Sequence, residues 1–445
     1  MVSGFRTTLG QSIQAQAHAA FCPEAVAARV IFLLDYDSFF ARCMQQAYPP
    51  LRGKPVGIRG PAKGTAIIAA STEAKARGVK VGMHINEALR WCPGLEAVRA
   101  DMDMYGEICT KSLRVLTSYT DKVEPFSIDE AFLDATDLVA EFGDPHMLAQ
   151  HLKHELRAVL GAGITCSIGI GPNKMIAKVV SGMHKPDGIT HYTAAETPTL
   201  LAQIRLSDIC GIGSRVERRL NRLGIYTVER LGRFPRETLI KEFGVLGNVY
   251  WLWGQGIDLA PVTPYHAQAQ EKSVGHGLTL PEAVPQRGAL VGILQRLCER
   301  VGRRLRRLGL MGRTLHVWAR YDGHEPHDGF GGRRTLPHCT DVSQEIFQSA
   351  LAFVPQPALP HPVRQLQVTM SDLRRNVLQL SLLEDRVRQR DAQRAMDQVN
   401  DRFGDFSVMP ATVLLDTFPL RNGPPGHGFC KRFAIDGPGS GHTGY

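Results

Sequence analysis

The sequence lacks the features that mark membrane-spanning and disulfide-stabilised proteins. No apolar run approaches the ~20 residues that a transmembrane helix needs. The nine cysteines are scattered without a Cys-x-x-Cys pair, which argues against a structural zinc site and fits a reducing cytosol. Residues 1–28 have no cleavable signal pattern, and no internal repeat of fixed period occurs. We therefore expect a cytoplasmic protein without membrane contact, whose first 28 residues form a tail.

The sequence does have enough apolar residues for several buried cores, together with an excess of positive charge. Of the 445 residues, 43% are hydrophobic and 21% are charged, and the length predicts about three domains. Lys and Arg number 52 against 43 Asp and Glu, so the formal net charge is +9. This balance favours an anionic partner, most simply nucleic acid, although a basic enzyme without such a partner fits it equally well.

Two adjacent carboxylates, Asp129 and Glu130, interrupt a strand-like apolar run from Val123 to Asp134. Neighbouring residues of a strand point to opposite faces, so one carboxylate would face a hydrophobic interior unless a turn, a bulge or a cation intervenes. A divalent cation would neutralise both charges. The alternative is a strand that ends in a solvated acidic turn, since acidic side chains usually lie on surfaces.

A second acidic strand lies upstream, where the apolar run from Val30 to Phe40 meets Asp35 and Asp37 at its C-terminal end. Two hydrophobic strands that each deliver acids at one tip suit a pair of Mg²⁺ ions about 4 Å apart. Mg²⁺ prefers a few carboxylates together with substrate phosphates over an all-protein cage. The pattern therefore indicates phosphoryl or nucleotidyl transfer.

Around these strands, helical and strand-like segments alternate, which predicts an α/β or α+β sheet domain with a small insertion at about 39–101. Further along, Gly211-Ile212-Gly213 precedes a helix that contains Arg215. Glycines at a helix N-terminus expose backbone N–H groups that can bind phosphate. An ordinary glycine-rich connection between helices is the alternative.

The last third of the chain follows a Pro/Gln/Ala-rich linker at 261–270. A predicted helix at Ala289–Leu308 has one acid and six arginines, which form either a solvated basic face or a duplex-backbone contact: Arg296, Arg300, Arg303, Arg304, Arg306 and Arg307. Strands follow, with Arg333 and Arg334 at the start of one and a last strand at Ala411–Leu415. Residues 421–445, rich in Gly and Pro, are predicted to be a disordered tail.

Four motifs follow one another along the chain: Leu34–Ala41, Ser127–Asp134, Ser167–Lys174 and Lys185–Gly188. In this order they resemble the Y family (translesion, bacterial type) of DNA polymerases, over about residues 30–420. The resemblance implies an α+β right hand with a helix-hairpin-helix thumb and an extra DNA-binding little finger of β-sheet and helices. Its domains would be the palm at 29–38 and 102–192, the fingers at 39–101, the thumb at 193–260 and the little finger at 271–420.

The resemblance also implies roles for single residues. Two Mg²⁺ ions, for which Mn²⁺ can substitute, would be bound by Asp35, Asp129, Glu130 and the Tyr36 carbonyl. Phe40 would be the steric gate that excludes a ribose 2′-hydroxyl, with plain core packing as the structural alternative. Nucleotide binding would involve the backbone of Ser38, Phe39 and Phe40 and the side chains of Thr72, Lys75 and Lys185.

One nucleotide-binding motif departs from the family pattern. Where the family commonly has Tyr-Glu-Ala-Arg, this chain has Thr72-Glu73-Ala74-Lys75. Thr72 lacks the reach of a tyrosine, and Lys75 keeps the charge of an arginine without its bidentate fork. We therefore expect nucleotide binding to be weaker than is usual for the family, and the affinity of a Thr72→Tyr/Lys75→Arg variant to test this.

The expected DNA contacts are Gly211, Gly213, Arg215, Arg333 and Arg334. A separate peptide, residues 379–383, resembles the Gln-Leu-x-Leu-Phe motif with which bacterial polymerases bind the sliding clamp, although its last residue is Leu. Because this peptide precedes a helix and is not at a terminus, a buried strand is the alternative. The clamp-binding residues would be Gln379, Leu380, Leu382 and Leu383.

The implied activity is template-directed, low-fidelity addition of deoxynucleotides to a primer 3′-hydroxyl during DNA damage tolerance and the SOS response. The partners would be primer–template DNA, dNTPs and a sliding clamp, and the enzyme would act as a monomer near the nucleoid. One alternative is a non-catalytic scaffold of the same fold that recruits other polymerases, but it predicts missing carboxylates. Another is a helix-hairpin-helix repair protein, which would explain residues 205–235 and leave the acidic strands unexplained.

Overall fold

A computed structural model describes residues 29–60, 66–267, 271–323, 325, 328–375 and 384–415. The chain divides into two compact units between residues 267 and 268. The first unit contains both acidic strands, and the division falls within the segment predicted as a linker. No helix in these ranges is long and apolar enough to cross a membrane.

In the first unit, helices alternate with strands that come from distant parts of the chain. In chain order, its elements are β1 (Ile31–Tyr36), α1 (Phe39–Ala47), β2 (Val56–Arg59), β3 (Ile67–Ala70), α2 (Thr72–Ala76), α3 (Ile85–Trp91), β4 (Glu96–Arg99), α4 (Met102–Thr117), β5 (Val123–Pro125), β6 (Glu130–Asp134), α5 (Thr136–Phe142), α6 (Pro145–Leu160), β7 (Cys166–Gly171), α7 (Lys174–Ser181), β8 (Ile189–His191), α8 (Thr197–Gln203), α9 (Ser214–Arg222), α10 (Val228–Arg233), α11 (Arg236–Phe243) and α12 (Val245–Gly254). Short 3₁₀ turns lie at Pro49–Leu51 and Leu206–Asp208.

The central sheet has the strand order β5-β6-β1-β7-β8, and β1 is antiparallel to both of its neighbours. Every residue of β1 is buried, which explains its nearly uninterrupted apolar sequence. Phe32 and Leu34 share a core with α4 and α6, whereas Ile31 and Leu33 pack with α7. Because side chains alternate along a strand, Asp35 lies on the α7 face of the sheet.

Two glycines of β7 allow α7 to lie directly on the sheet. A Cβ added to Gly169 would be 2.1 Å from the carbonyl oxygen of Ala177, and one added to Gly171 would be 2.7 Å from Ile176. Any larger residue would therefore push α7 away from β7. The glycines of the motif at 167–174 thus set the height of α7 above the end of β1.

The run from Val123 to Asp134, predicted as one strand-like segment, is a hairpin in the structure. Strands β5 and β6 pair antiparallel, and a bend at residues 126–129 separates them. Pro125 ends β5, and the backbone N–H groups of Phe126 and Ser127 both donate to the Glu130 carbonyl. Asp129 therefore lies in the bend, so a turn resolves the conflict between the two adjacent carboxylates.

Two smaller clusters complete the first unit. A three-stranded sheet of order β3-β2-β4 forms a core with α2 and α3 around Ile67, Ala74 and Val79. Helices α8 to α12 have a separate core that includes Leu200 and Leu231. These clusters lie within the segments predicted as fingers and thumb, and those domain assignments stay predictions.

The second unit is an antiparallel four-stranded sheet of order β11-β10-β12-β9, with helices on one face. Its elements are β9 (Ser273–Val284), α13 (Arg287–Arg307), β10 (Leu310–Tyr321), β11 (Gly329–Thr340), α14 (Ser343–Leu351), β12 (Val363–Arg375), α15 (Glu384–Phe403) and a 3₁₀ turn at Ala411–Leu415. Leu315, Val317 and Ala319 of β10 share a core with α13 and α14, so the alternate residues His316 and Trp318 lie on the other face. Together the two units confirm the predicted α+β class.

Two sequence predictions for this unit were incomplete or wrong. Strand β9 was not predicted, because Gly275, Gly277 and Pro281 interrupt its alternation. The strand predicted at Ala411–Leu415 is a 3₁₀ turn, in which the Val413 N–H donates to the Pro410 carbonyl and the Val413 side chain is buried. Its β-branched composition reflects burial and not strand pairing.

Part of the basic face of α13 is used in ion pairs within the second unit. Three of its arginines are ion-paired with acids of α15 and the turn after it. Arg303 pairs with Asp401 at 2.6 Å and also with Asp405, and Arg306 pairs with Asp397 at 2.5 Å. A solvated basic face is therefore wrong for the largely buried Arg303 and Arg306, whose partners lie about 90 to 100 residues downstream, whereas Arg307 is half exposed and duplex contact stays a prediction.

Candidate active site

The register of the central sheet brings the predicted acidic residues together. Asp35 on β1 is directly opposite Glu130 on β6, so the two side chains lie on the same face. The backbone N–H of Tyr36 donates to the Asp129 carbonyl at 2.9 Å, which holds the bend against the end of β1. The Tyr36 side chain points the other way, towards Ser112, so only its backbone is available on this side.

Two lysines from different segments reach these carboxylates. Lys178, on α7, is ion-paired with Glu130 and lies 3.6 Å from Asp35 Oδ2. Lys185, in the loop before β8, is ion-paired with Asp35. Sequence analysis selected Lys185 and missed Lys178. The available signal was the pair of lysines four residues apart on an otherwise apolar helix, since this spacing places both on one face.

Burial sets the protonation properties of the site. It raises the pKa of Asp129, and the nearby negative charge of Asp35 adds to this effect. Burial also raises the pKa of Glu130 to about 7, against the opposing influence of Lys178. For Lys178 itself, burial acts to lower the pKa, but Glu130 and Asp35 outweigh it and raise the value. The carboxylates therefore need positive charge beside them to stay ionised.

The donor chemistry of the site fits a hard divalent cation. Glu130 Oε2 is buried and has no hydrogen-bond partner in the structure. The other atoms nearby that could bind a metal ion are carboxylate oxygens. Across the described ranges, however, no group of three or more His, Cys, Asp or Glu side chains is already arranged to hold a metal ion. Instead, Glu130 is ion-paired with the ammonium group of Lys178, and Asp35 with that of Lys185.

Asp37, the second acid of the first motif, is not part of this cluster. Its carboxylate accepts hydrogen bonds from Thr165 Oγ1 at 2.9 Å, Ser167 Oγ at 2.8 Å and the Asp187 N–H at 2.8 Å. Its acceptor capacity is thus largely used within the protein. Because Asp187 lies two residues after Lys185, Asp37 positions the loop that carries Lys185.

Phe40 lies in the first turn of α1, which follows the strand that carries Asp35. Its half-buried ring is stacked on Tyr105, with the ring centroids 4.3 Å apart and the planes 15° from parallel. The neighbouring Phe39 side chain is buried in the main core, so only its backbone can contact a ligand. The partly buried Phe40 ring packs against the same core from its edge. Its role as the steric gate stays a prediction.

The other predicted nucleotide-binding residues lie around the start of α1. Lys75 Nζ donates to Ser38 Oγ at 2.9 Å, and Thr72 Oγ1 accepts from Arg42 Nη2 at 3.3 Å. Ser38 has a positive φ of 49° and no side-chain capping bond, so its backbone turns sharply from β1 into α1. The structure thus brings Thr72 and Lys75 to the N-terminal end of α1.

The predicted DNA-binding residues differ in how they are used within the protein. Gly211 has a φ of +111°, which favours glycine, and Gly213 precedes α9. Arg215 is exposed and has no ion-pair partner among the described residues. In the second unit, Arg333 is opposite His316 on the polar face, whereas the Arg334 guanidinium lies over the Phe353 ring at 5.6 Å. The clamp candidates Gln379, Leu380, Leu382 and Leu383 lie outside the described residues.

A buried ion pair anchors α7 below the site, and its removal should destabilise the protein. Lys174 Nζ lies 2.8 Å from Glu124 Oε2, with both side chains less than a tenth exposed. The same oxygen accepts from the Thr263 N–H at 2.7 Å. We expect Glu124→Gln to lower the free energy of unfolding by about 3–5 kcal/mol, because it leaves the Lys174 charge buried and uncompensated.

The exposed pair of Lys122 and Asp137, at 2.8 Å, is the matched control for that experiment. Its Asp137→Asn variant should cost at most about 1 kcal/mol, because solvent screens the pair. Denaturant unfolding of the full chain measures both variants. Equal losses for Glu124→Gln and Asp137→Asn would contradict a structural role for the buried pair.

Comparison with known proteins agrees with this geometry. Residues 34–182 match the impB/mucB/samB family, and residues 271–382 match the C-terminal domain of that family. The chain is 35% identical over 395 residues to DNA polymerase IV of Pelotomaculum thermopropionicum, which covers 88% of this chain and 97% of the relative. It is 37% identical over 400 residues to DNA polymerase IV of Moorella thermoacetica, covering 88% and 98%. A solved structure, the Y-family DNA polymerase chimera Dbh-Dpo4(243-245)-Dbh, is similar with a TM-score of 0.66 and 25% identity, over 77% of this chain and 98% of that one.

Proposed function

Because this chain belongs to the impB/mucB/samB family, the Y family of DNA polymerases, we propose that it extends a primer 3′-hydroxyl opposite both intact and damaged template bases, with low fidelity and by two-metal nucleotidyl transfer. The chain is a DNA-directed DNA polymerase of the translesion type, and this identity implies a divalent metal ion. Its substrates are DNA and deoxynucleoside triphosphates. The lesion tolerance, the fidelity and the number of ions are the parts that we propose.

We assign the metal ligands to Asp35, Asp129, Glu130 and the Tyr36 carbonyl, with Mg²⁺ as the ion and Mn²⁺ as a substitute. Bound there, the metal supplies the charge that lowers the pKa of the primer hydroxyl and neutralises the triphosphate. The protein's own contribution is positional. The β1–β6 register holds Asp35 opposite Glu130, and Asp37 holds the loop of Lys185 against them. Phe40 occupies the space beside the sugar and excludes a 2′-hydroxyl.

The proposal rests mainly on one observation: three carboxylates from two distant segments converge in a buried site that holds two lysines and an unpaired Glu130 oxygen. Primer extension by the full chain tests it, on an undamaged and an abasic template with Mg²⁺, with Mn²⁺ and with a chelator. We expect extension on both templates that stops when the metal is removed. Extension that persists with the chelator would contradict the assigned metal dependence, and no extension in any condition would reject polymerase activity.

The non-catalytic scaffold is not favoured, because it predicts the loss of carboxylates that are present and adjacent in this structure. We propose that residues 29–38 and 102–192 act as the palm, 39–101 as the fingers, 193–260 as the thumb and 271–420 as the little finger. The enzyme would act as a monomer on DNA in the cytoplasm, in association with the nucleoid. Gel filtration with light scattering tests the monomeric state.

The polar face of the second-unit sheet is our proposed duplex contact, and the two neighbouring arginines of β11 make it testable. Arg333 is exposed on that face, whereas Arg334 packs over Phe353 on the other. We expect Arg333→Ala to weaken primer–template binding by about 1 kcal/mol, or about fivefold, and to reduce the salt slope by about one ion. Because Arg334 packs over Phe353, we no longer propose this sequence-predicted residue as a contact, so Arg334→Ala is the control and should change affinity less than about twofold.

Fluorescence anisotropy with a labelled duplex, repeated across a salt series, measures both arginine variants. A loss for Arg334→Ala equal to that for Arg333→Ala would show that the polar face is not the contact. The Gly211 and Gly213 turn and Arg215 are our proposed second contact with the DNA backbone, because exposed N–H groups and an unpaired guanidinium suit phosphate.

We also propose that residues 379–383 bind a bacterial sliding clamp, on the strength of their similarity to the Gln-Leu-x-Leu-Phe peptide. A clamp pull-down compares the wild-type chain with a Gln379→Ala/Leu382→Ala variant. Loss of the clamp from the variant is the expected result, because the anchoring amide and apolar side chain are removed. Retained clamp binding would instead favour the buried-strand interpretation.

A further inference from the structure

The nucleotide-binding motif on α2 lacks two of the side chains that the family pattern has there. The family motif on α2 would supply a tyrosine and an arginine to the triphosphate, and this chain has Thr72 and Lys75 there instead. The reach of the phenol and the fork of the guanidinium are therefore both missing from α2. A triphosphate has several charges to neutralise, so another donor at this position would matter to the proposed function.

Arg42, on the neighbouring helix α1, reaches the position that the substitution leaves open. Its Nη2 donates to Thr72 Oγ1 at 3.3 Å, and its side chain is half-buried between α1 and α2. Its Nε is buried and has no hydrogen-bond partner in the structure. A guanidinium has five N–H donors, so most of the hydrogen-bonding capacity of Arg42 is unused among the residues that the structure describes.

No acidic residue among those described forms an ion pair with Arg42. The charge of Arg42 does act on Glu73. Burial raises the pKa of Glu73, but hydrogen bonds from its own backbone, Ser71 and Gln45, together with the charge of Arg42, outweigh burial and lower the pKa. Glu73 Oε2 accepts from Gln45 Nε2 at 3.4 Å. Glu73 therefore lies close enough to influence Arg42 without occupying its donors. A half-buried cation of this kind is expected to bind an anion from outside the chain.

Two further cations, Lys75 and Lys185, are close to one another, and Lys75 is three residues after Thr72, the residue that Arg42 contacts. Lys75 Nζ donates to Ser38 Oγ, and its pKa is lowered by burial and by the positive charge of Lys185, which together outweigh the nearby acids. Arg42, Lys75 and Lys185 thus come from three separate segments, α1, α2 and the loop before β8. Lys75 contacts Ser38 at the start of α1, and Arg42 belongs to the first turn of that helix, where helix geometry leaves the first backbone N–H groups free for an anion.

We propose that Arg42 binds the triphosphate of the incoming nucleotide and replaces the arginine that α2 lacks. This inference rests on the proposed polymerase function and deepens it. The Thr72 hydroxyl orients the guanidinium, so the departure at Thr72 and the presence of Arg42 belong to one arrangement. Thr72 and Lys75, in place of the family's Tyr and Arg, were expected to weaken nucleotide binding. The bidentate guanidinium of Arg42 would offset this loss from α1 instead of α2.

Steady-state primer extension by the full chain tests the role of Arg42 through the KM for a single dNTP. Arg42→Ala should raise this KM by about 10- to 100-fold, because a charge-assisted bidentate contact is lost. The KM of Arg42→Lys should lie between those of the wild-type chain and Arg42→Ala, since lysine keeps the charge but lacks the bidentate guanidinium. Arg52→Ala is the control: this exposed arginine donates only to the Gln45 and Gln46 carbonyls, and its loss should leave KM unchanged.

A rescue experiment distinguishes substrate binding from a merely structural contact between α1 and α2. Adding Thr72→Tyr and Lys75→Arg to Arg42→Ala restores the family pattern and should lower KM by about tenfold, because a bidentate donor returns to the phosphates. The same pair added to the wild-type chain should change KM by less than about threefold. An unchanged KM in Arg42→Ala, or a gain from the pair that is equal in both backgrounds, would overturn the proposal.

Equilibrium binding of a fluorescent dNTP in the presence of Ca²⁺ separates this proposal from the proposed function. If the wild-type chain binds the nucleotide, loses it on Arg42→Ala and yet extends no primer, the polymerase activity fails and the Arg42 assignment stands. If the wild-type chain extends primers and Arg42→Ala binds the dNTP normally, the Arg42 assignment fails alone. Preference for dNTP over dNDP should also fall in Arg42→Ala, and an unchanged preference counts against phosphate contact.

Discussion

Asp129→Asn should lower the kcat of primer extension by at least about 10³-fold, because a neutral amide cannot supply the charge that a catalytic divalent ion requires. The same loss is expected for Asp35→Asn and Glu130→Gln. All three side chains sit at the junction of β1 and β6, where Asp35 is opposite Glu130 and Asp129 lies in the adjoining bend. Single-turnover extension with saturating dNTP measures the effect on chemistry.

The same variant should not be destabilised. Burial and the charge of Asp35 raise the pKa of Asp129 in the folded protein, so the ionised carboxylate is disfavoured there. Replacing it with a neutral amide removes that repulsion, and we expect the Tm to be equal to or higher than that of the wild-type chain. Inactivity together with undiminished stability is the pattern of a residue retained for function and not for folding.

Asp134→Asn is the matched control for this experiment. Asp134 is at the other end of β6, opposite Ile31, and its Oδ1 accepts from the Thr136 N–H at 3.2 Å and from the Thr136 hydroxyl at 2.6 Å. An asparagine can keep these bonds, so activity should stay within about twofold of wild type. If Asp129→Asn extends primers as well as Asp134→Asn does, the metal-site assignment is wrong.

Phe40→Ala should give the second-largest effect, a loss of discrimination against ribonucleotides by about 100-fold. The ring is held in place by stacking on Tyr105 at 4.3 Å and is partly exposed. A rigid wall of this kind excludes an extra hydroxyl by shape, and shape alone supplies about 1–3 kcal/mol of selectivity. The ratio of kcat/KM for dNTP over rNTP, on one template base, measures the change.

Two comparisons define the role of Phe40. Tyr105→Phe keeps the stacked ring and should leave the ratio near its wild-type value, which tests whether Phe40 acts through its own bulk. Extension with dNTP alone should fall far less in Phe40→Ala than rNTP use rises, because a deoxyribose lacks the 2′-hydroxyl that the ring would exclude. If the ratio is unchanged in Phe40→Ala, the ring is core packing and the gate lies elsewhere.

Sequence patterns correctly predicted helices and strands whose formation depends mainly on neighbouring residues in the chain. The apolar run ending in Asp35 is a buried strand, and the arginine-rich segment at 289–308 is a helix within two residues of its predicted ends. The predictions failed where another segment determines the outcome. Arg303 and Arg306 of α13 are ion-paired with acids of α15. Pro125 and the Glu130 carbonyl divide one predicted run into a hairpin, and Ala411–Leu415 has strand-like composition without a strand partner among the described residues.

The sequence by itself determined the α+β class, the acidic motifs and the family resemblance, because periodicity and short motifs depend only on residues that are close together in the chain. Only the tertiary structure decided which of the acids face one another, that Asp37 is used to position a loop, that Lys178 is ion-paired with Glu130, and that Arg42 contacts Thr72. These relations join residues that lie from 30 to 150 positions apart in the chain. They depend on sheet register and on the close packing of α7 over Gly169, which no local pattern encodes.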